Sequence, residues 1–186
     1  IGNPQIYSRQ FGAVMIAKRH EEFPHLPKLN MNIVAAEDVI KSGVFTIKTF
    51  AISHTIPDSM GLIIQTPVGE IAFIEDVRVD NVDGIPTEEE VQQYKRFAGK
   101  EMLMLTMDST SIEKRGFSLS EQVIVKNIIE IIKNVPGRII IASFASQVER
   151  IVAIIDAAES FGKKVVIEGR SMKSNVEISK QLGILK

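Results

Sequence analysis

The stretch Arg138-Ile139-Ile140-Ile141-Ala142-Ser143-Phe144-Ala145-Ser146 decides the fold class. A short β-branched run ends in small and hydroxyl-bearing residues, and an amphipathic segment over 146–161 follows at once. The same alternation extends to both sides. Residues 102–107 are apolar and 118–133 have helical period, while 164–167 are again apolar and 174–182 again amphipathic. Strands separated by helices pair in parallel, because the crossover helix returns the chain to the same end of the sheet. This half is therefore expected to be α/β with a parallel sheet. Ser118/Glu121, Ser146/Glu149 and Ser174/Glu177 have the Ser-x-x-Glu spacing of helix starts, and Gly162 and Gly183 stand where helices stop. Residues 182–186 read as such a stop followed by the first residues of another strand.

Working back toward the start, the period changes. Residues 44–53, 61–66 and 70–76 alternate with period two and are broken by Pro57-Asp58-Ser59 and Pro67-Val68-Gly69, the pattern of an antiparallel meander with one buried face. Over 7–23, Phe11, Val14, Met15 and Ile16 fall on one helical face that ends before Pro24 and Pro27. Residues 81–86 form a Gly/Pro loop. Thr87-Glu88-Glu89-Glu90 then reads as a capping box, with the Thr87 oxygen and Glu90 satisfying free helix amides. The change of pattern divides the chain into 1–86 and 87–186.

The chain has 186 residues, 45% hydrophobic and 24% charged, which suffices for one good core or two small ones. Its apolar runs are too short and too polar for a membrane span. The net charge of -1 singles out no charged partner, although residues 133–186 carry nine basic and five acidic side chains, a mild positive excess. The absence of Cys excludes disulfide frameworks, cysteine zinc sites, iron–sulfur clusters and thiol nucleophiles, and makes a cytoplasmic location the default expectation. No run resembling a signal peptide follows Ile1. Both ends read as interruptions, so the chain is expected to be a piece of a larger protein.

Among the three histidines, His20 and His25 flank a Pro-rich stretch and are expected to be solvated. His54 instead ends an apolar run and opens His54-Thr55-Ile56-Pro57-Asp58-Ser59. Imidazole at a strand end is a common metal-ligand position, though one histidine without a second ligand nearby reads as well as a structural residue. Asp76 closes another apolar run, where a carboxylate can bridge metals or act as a base, or can simply start the turn into Arg78 and Asp80. Asp108, with Ser109, Thr110 and Ser111 behind it, lies where open α/β sheets bind ligands; turn capping is the alternative. Ser143-Phe144-Ala145-Ser146 has the same placement. Its helix amides suit a phosphate and its ring a base, or it is an ordinary N-cap beside a core phenylalanine.

In this order, His54–Ser59, Asp76-Val77-Arg78-Val79-Asp80, Met107-Asp108-Ser109-Thr110-Ser111, Arg115-Gly116-Phe117-Ser118, the stretch 138–146 and Gly169-Arg170-Ser171-Met172 closely resemble the ribonuclease J family. That family is a β-CASP branch of the metallo-β-lactamase superfamily, and the resemblance covers essentially the whole chain. It implies part of an αββα metallo-β-lactamase domain (1–86) followed by part of a Rossmann-like β-CASP domain (87–186). It further implies an RNA-hydrolysing enzyme, exo- or endonucleolytic, that uses a metal-activated hydroxide with two zinc ions. By position, His54 is the family's third metal-binding motif, Asp76 the bridging aspartate of the fourth, and Asp108 the acidic first motif of the β-CASP part. Ser109, Ser143, Phe144 and Ser146 are implied to face the RNA, and the intact protein is implied to be a cytoplasmic homo-oligomer.

Two departures qualify the resemblance. The H-x-H-x-D-H motif and the C-terminal histidines are not in this sequence, so two ligands cannot close a two-zinc site and the chain by itself is expected to be inactive. Where the family carries Thr-Gly-Asp, this chain has Ile74-Glu75-Asp76, and glycine is the residue that allows close backbone approach. A non-catalytic RNA-binding or assembly subunit of the same fold is the alternative reading. A small-molecule hydrolase is disfavoured by the β-CASP half.

Overall fold

The computed structural model describes residues 2–186 and is mixed α/β, with five helices and a mixed five-stranded sheet. Packing divides it into two units. The first comprises the described residues up to His54 together with Asp58–Phe117, and the second comprises Thr55–Pro57 with Ser118–Lys186.

In the first unit, β1 (Gln5–Ser8), α1 (Gln10–His20) and β2 (Asn30–Ile33) make a small parallel strand–helix–strand unit. The helical period over 7–23 thus holds from Gln10 and buries Phe11 and Ala13, whereas the short strand before it went unread. Beyond it, β3 (Val39–Ser42), β4 (Phe45–Ala51), β5 (Met60–Thr66) and β6 (Gly69–Ile74) form the expected antiparallel meander, extended by the unexpected β3. Phe50, Ile52, Ile63 and Ile74 bury one face of it, with Val77, Tyr94 and Phe97 packed against them. Gly61 lies opposite Phe50 in the ladder because the ring occupies its side-chain space: a Cβ there would come within 2.3 Å of the ring.

A two-residue hairpin, β7 (Asn81–Val82) with β8 (Ile85–Pro86), leads to α2 (Glu88–Lys95). The Thr87 hydroxyl accepts from the Glu90 amide at 3.4 Å, as the capping box requires. Its reciprocal half does not form. The Thr87 amide donates to the Asp80 carbonyl instead (3.0 Å), and one Glu90 carboxylate oxygen is buried without a partner.

After α2 the chain returns as β9 (Met104–Met107), which pairs in parallel with β6 and completes the order β3-β4-β5-β6-β9. Residues 102–107 were expected to share a sheet with 138–142 and 164–167. They belong to the first unit's sheet instead, because β6, α2 and β9 already satisfy the strand–helix–strand rule. The change of local pattern near residue 86 and the packing division after Phe117 therefore differ, with α2 and β9 in the first unit.

The second unit holds α3 (Glu121–Asn134), α4 (Val148–Ser160) and α5 (Arg170–Gln181). Ile132, Ala157 and Ala158 form one core cluster and Ile151, Ile155 and Leu185 another, with Ile139, Val165 and Ile167 packed against them. Among the described residues, 138–142 and 164–167 join no ladder, which corrects the expected parallel sheet in this half. Their alternation survives. Ile139, Val165 and Ile167 meet the helices, whereas Ile140 is 90% and Val166 80% exposed. A buried parallel strand needs cover on both faces, and here only one is covered.

The helix starts shift as well. Ser120, not Ser118, caps α3 by accepting from the Val123 amide (3.3 Å); α4 follows Gln147 without a side-chain cap, and α5 opens at Arg170 with Ser174 inside it. Gly169 precedes α5 at φ 96°, and Gly162 and Gly183 follow their helices at φ 68° and 70°, the left-handed conformation that glycine adopts freely.

Candidate functional site

Strand direction brings the candidate residues of the first unit together. β4 and β6 both run antiparallel to β5, so they run the same way, and β9 runs parallel to β6. The residues that leave all three strands emerge at one edge of the sheet. His54 leaves β4, Asp76 leaves β6 and Asp108 follows β9 directly. Backbone bonds tie these exits together: the Arg78 amide donates to the Ser53 carbonyl (2.8 Å) and the Asp108 amide to the Glu75 carbonyl (3.2 Å).

As a result His54 Nε2 lies 3.7 Å from Asp76 Oδ2. The imidazole is mostly covered and the carboxylate is open to solvent. The Asp108 carboxylate accepts from the Thr110 amide at 2.7 Å. That bond, a further one from the Thr110 side chain and the charge of His54 hold its pKa below the usual carboxylate value. Ser109, the next residue, is exposed.

The donor set suits a metal such as zinc, which takes imidazole nitrogen and carboxylate oxygen at roughly 2 Å. Two donors 3.7 Å apart can meet at one ion, or each can hold one of a bridged pair. Among the described residues no group of three or more His, Cys, Asp or Glu side chains could hold an ion, so the pair by itself makes no complete zinc site. His54 Nδ1 is buried without a hydrogen-bond partner, whereas metal-bound histidines usually donate that second N–H to a fixed acceptor. Glu75 is exposed and is not among the residues with positive φ, so the backbone before Asp76 needs no glycine for its own conformation.

Sequence reasoning missed Asp58. The N-cap of α1, Arg9, makes no side-chain cap of its own. Asp58 supplies it from the loop that follows His54, with Oδ2 accepting from the Phe11 amide at 2.9 Å and Oδ1 lying 3.4 Å from the Arg9 guanidinium. Only its turn-forming residue type could have signalled this, because the amide it accepts from lies 47 residues away.

Ser143, Phe144 and Ser146 belong to the second unit, in the segment before α4. Phe144 is 79% exposed and is therefore no core residue. The Ser146 side chain does not cap α4; its carbonyl accepts from the Val148 amide (2.8 Å). Asn175 of α5, also unread in the sequence, donates from Nδ2 to the Ala145 carbonyl at 2.8 Å. His25 is exposed as expected, whereas His20 is half-buried, with Nε2 3.0 Å from the Pro27 carbonyl.

Residues 136–186 match the family model described as the beta-CASP domain of ribonuclease J. Along almost its whole length the chain is a relative of ribonuclease J: it is 36% identical over 97% of its residues to the Ribonuclease J of Thermus thermophilus. It is also 36% identical to that of Corynebacterium glutamicum over 97% of the chain, and 35% to that of Mycoplasma genitalium over 98%. The chain spans 32%, 25% and 32% of those three proteins, a quarter to a third of their length. A crystal structure of a protein of unknown function from Enterococcus faecalis V583 shares the fold, with a TM-score of 0.68 at 19% identity over 96% of this chain and 44% of that one.

Proposed function

We propose that the protein carrying this chain is a metal-dependent ribonuclease that hydrolyses RNA phosphodiester bonds, with His54 and Asp76 in its metal ligand set. The observation that supports it is the 3.7 Å approach of His54 Nε2 to Asp76 Oδ2 in a chain whose relatives are named Ribonuclease J. Zinc, two ions in the complete site, would supply Lewis-acid activation of water and phosphate. The chain's own residues do the rest. His54 and Asp76 orient the ligand set, while the ionised Asp108 and the Ser109 hydroxyl offer polar contacts at the same edge. Ser143 and Ser146 offer hydroxyls to phosphate and Phe144 a face for a base. Cytoplasmic location and self-assembly belong to the same reading. Among the described residues no helix is long and apolar enough to cross a membrane.

The test is cleavage of a 5′-monophosphorylated RNA by the full-length gene product, together with its zinc content. Asp76→Asn is expected to lower cleavage more than about a hundredfold, beyond the usual cost of losing an outer-shell partner, while RNA binding persists. A metal-free, inactive product that still binds RNA would overturn the enzyme reading in favour of a non-catalytic RNA-binding subunit.

A further inference from the structure

An aromatic ring that is 79% exposed at Phe144 can stack on a base with little entropic loss only if its loop is held. What holds it is buried one helix away. Asn175 in α5 is 7% exposed, and its Nδ2 donates to the carbonyl of Ala145, the residue that follows the ring. On the same helix turn the fully buried Ser179 donates to the Asn175 carbonyl at 2.8 Å, and Ile178, 1% exposed, anchors that face of α5. Within the loop, the Gln147 amide closes a turn on the Phe144 carbonyl at 3.0 Å. A buried amide side chain is costly unless it is bonded, and an aliphatic residue would fill this helix face more cheaply. The presence of Asn there is explained by the peptide it grips.

We propose that Asn175 is a positioning residue for RNA: by gripping the Ala145 carbonyl it presents the Phe144 ring for stacking on a nucleobase. This rests on the RNA reading above. Stacking is tolerant of base identity, so the expected ligand is single-stranded RNA without strict sequence.

The experiment measures binding of a 5′-fluorescein oligoadenylate to the full-length gene product, in chelator so that no cleavage intervenes. Phe144→Ala is expected to weaken binding about tenfold, the usual scale for one lost stacking contact. Asn175→Ala is expected to weaken it about threefold or more, and the double variant to bind no more weakly than Phe144→Ala, because residues acting through one contact are not additive. Asn175→Ala binding as tightly as the native protein, or effects that multiply in the double variant, would overturn the proposal while leaving the RNA reading intact. No effect of Phe144→Ala would likewise overturn the proposal alone, whereas failure of the native protein to bind would defeat both. Hydrogen exchange gives a readout independent of RNA: amides 143–148 are expected to exchange faster in Asn175→Ala with α3 unchanged, and equal exchange overturns the proposal. Asn175→Asp, nearly isosteric but without the donor, carries both measurements if the alanine variant does not fold.

Discussion

His54 Nε2 and Asp76 Oδ2 lie 3.7 Å apart although the residues leave strands separated by β5, because β4 and β6 run in the same direction and Ser53 and Arg78 join their exits. Two donors do not hold zinc as three or four do. The 186-residue chain is accordingly expected to take up less than one zinc per molecule and to leave RNA intact. Metal analysis after dialysis and a cleavage assay check both, and robust cleavage would contradict the argument.

Asp58 caps α1 from outside the helix and faces Arg9. Asp58→Ala is expected to cost about 1–2 kcal/mol, the scale of a lost N-cap with a small ion-pair contribution. Asp58→Asn is expected to cost less, because Asn also caps and also tolerates the positive φ of 66° found here. Urea unfolding at neutral pH ranks the variants, and equal loss for both would exclude the capping role.

Gly61 faces the Phe50 ring, which is itself covered by the Arg96 guanidinium at 4.7 Å and met edge-on by Phe97 at 5.5 Å. The ring has little room to yield. Gly61→Ala is expected to destabilise the first unit by about 1–3 kcal/mol through overpacking. The thermal midpoint reads this, and an unchanged midpoint would show that the ring moves freely.

Tyr94 is pushed up to about 12, first by burial and then by the Glu90 carboxylate, and its hydroxyl is buried without a partner. A folded pKa above the unfolded value of 10 means that the folded state keeps its proton longer. The contribution to stability is complete below pH 10 and is lost as pH rises from there toward 12. Tyr94→Phe is expected to be neutral or slightly stabilising at pH 7, since it removes an unpaired hydroxyl, and to flatten the alkaline decline. Melting curves of both proteins across that range decide it.

Much of the fold was legible in local pattern. The alternation over 44–53, 61–66 and 70–76 became β4, β5 and β6, the amphipathic segments became α1 and α3 to α5, and Thr87, Gly162 and Gly183 mark the ends expected of them. His54, Asp76 and Asp108 were legible as polar residues closing apolar runs, because strand ends are where side chains leave the core. Phe144 was legible only as one of two alternatives.

What local pattern does not encode is the neighbour. Residues 102–107 read as a strand, yet only packing decided that it joins β6 rather than the runs at 138–142 and 164–167. Ser118 and Ser120 both precede Glu121, and the helix begins so that Ser120 is the cap. The trans cap from Asp58, the grip of Asn175 on Ala145 and the orphaned oxygen of Glu90 join or strand groups that no short window contains. The period of a sequence records which face of an element is apolar, whereas the partner on that face is set by the competition among all faces for burial, which exists only once the chain has folded.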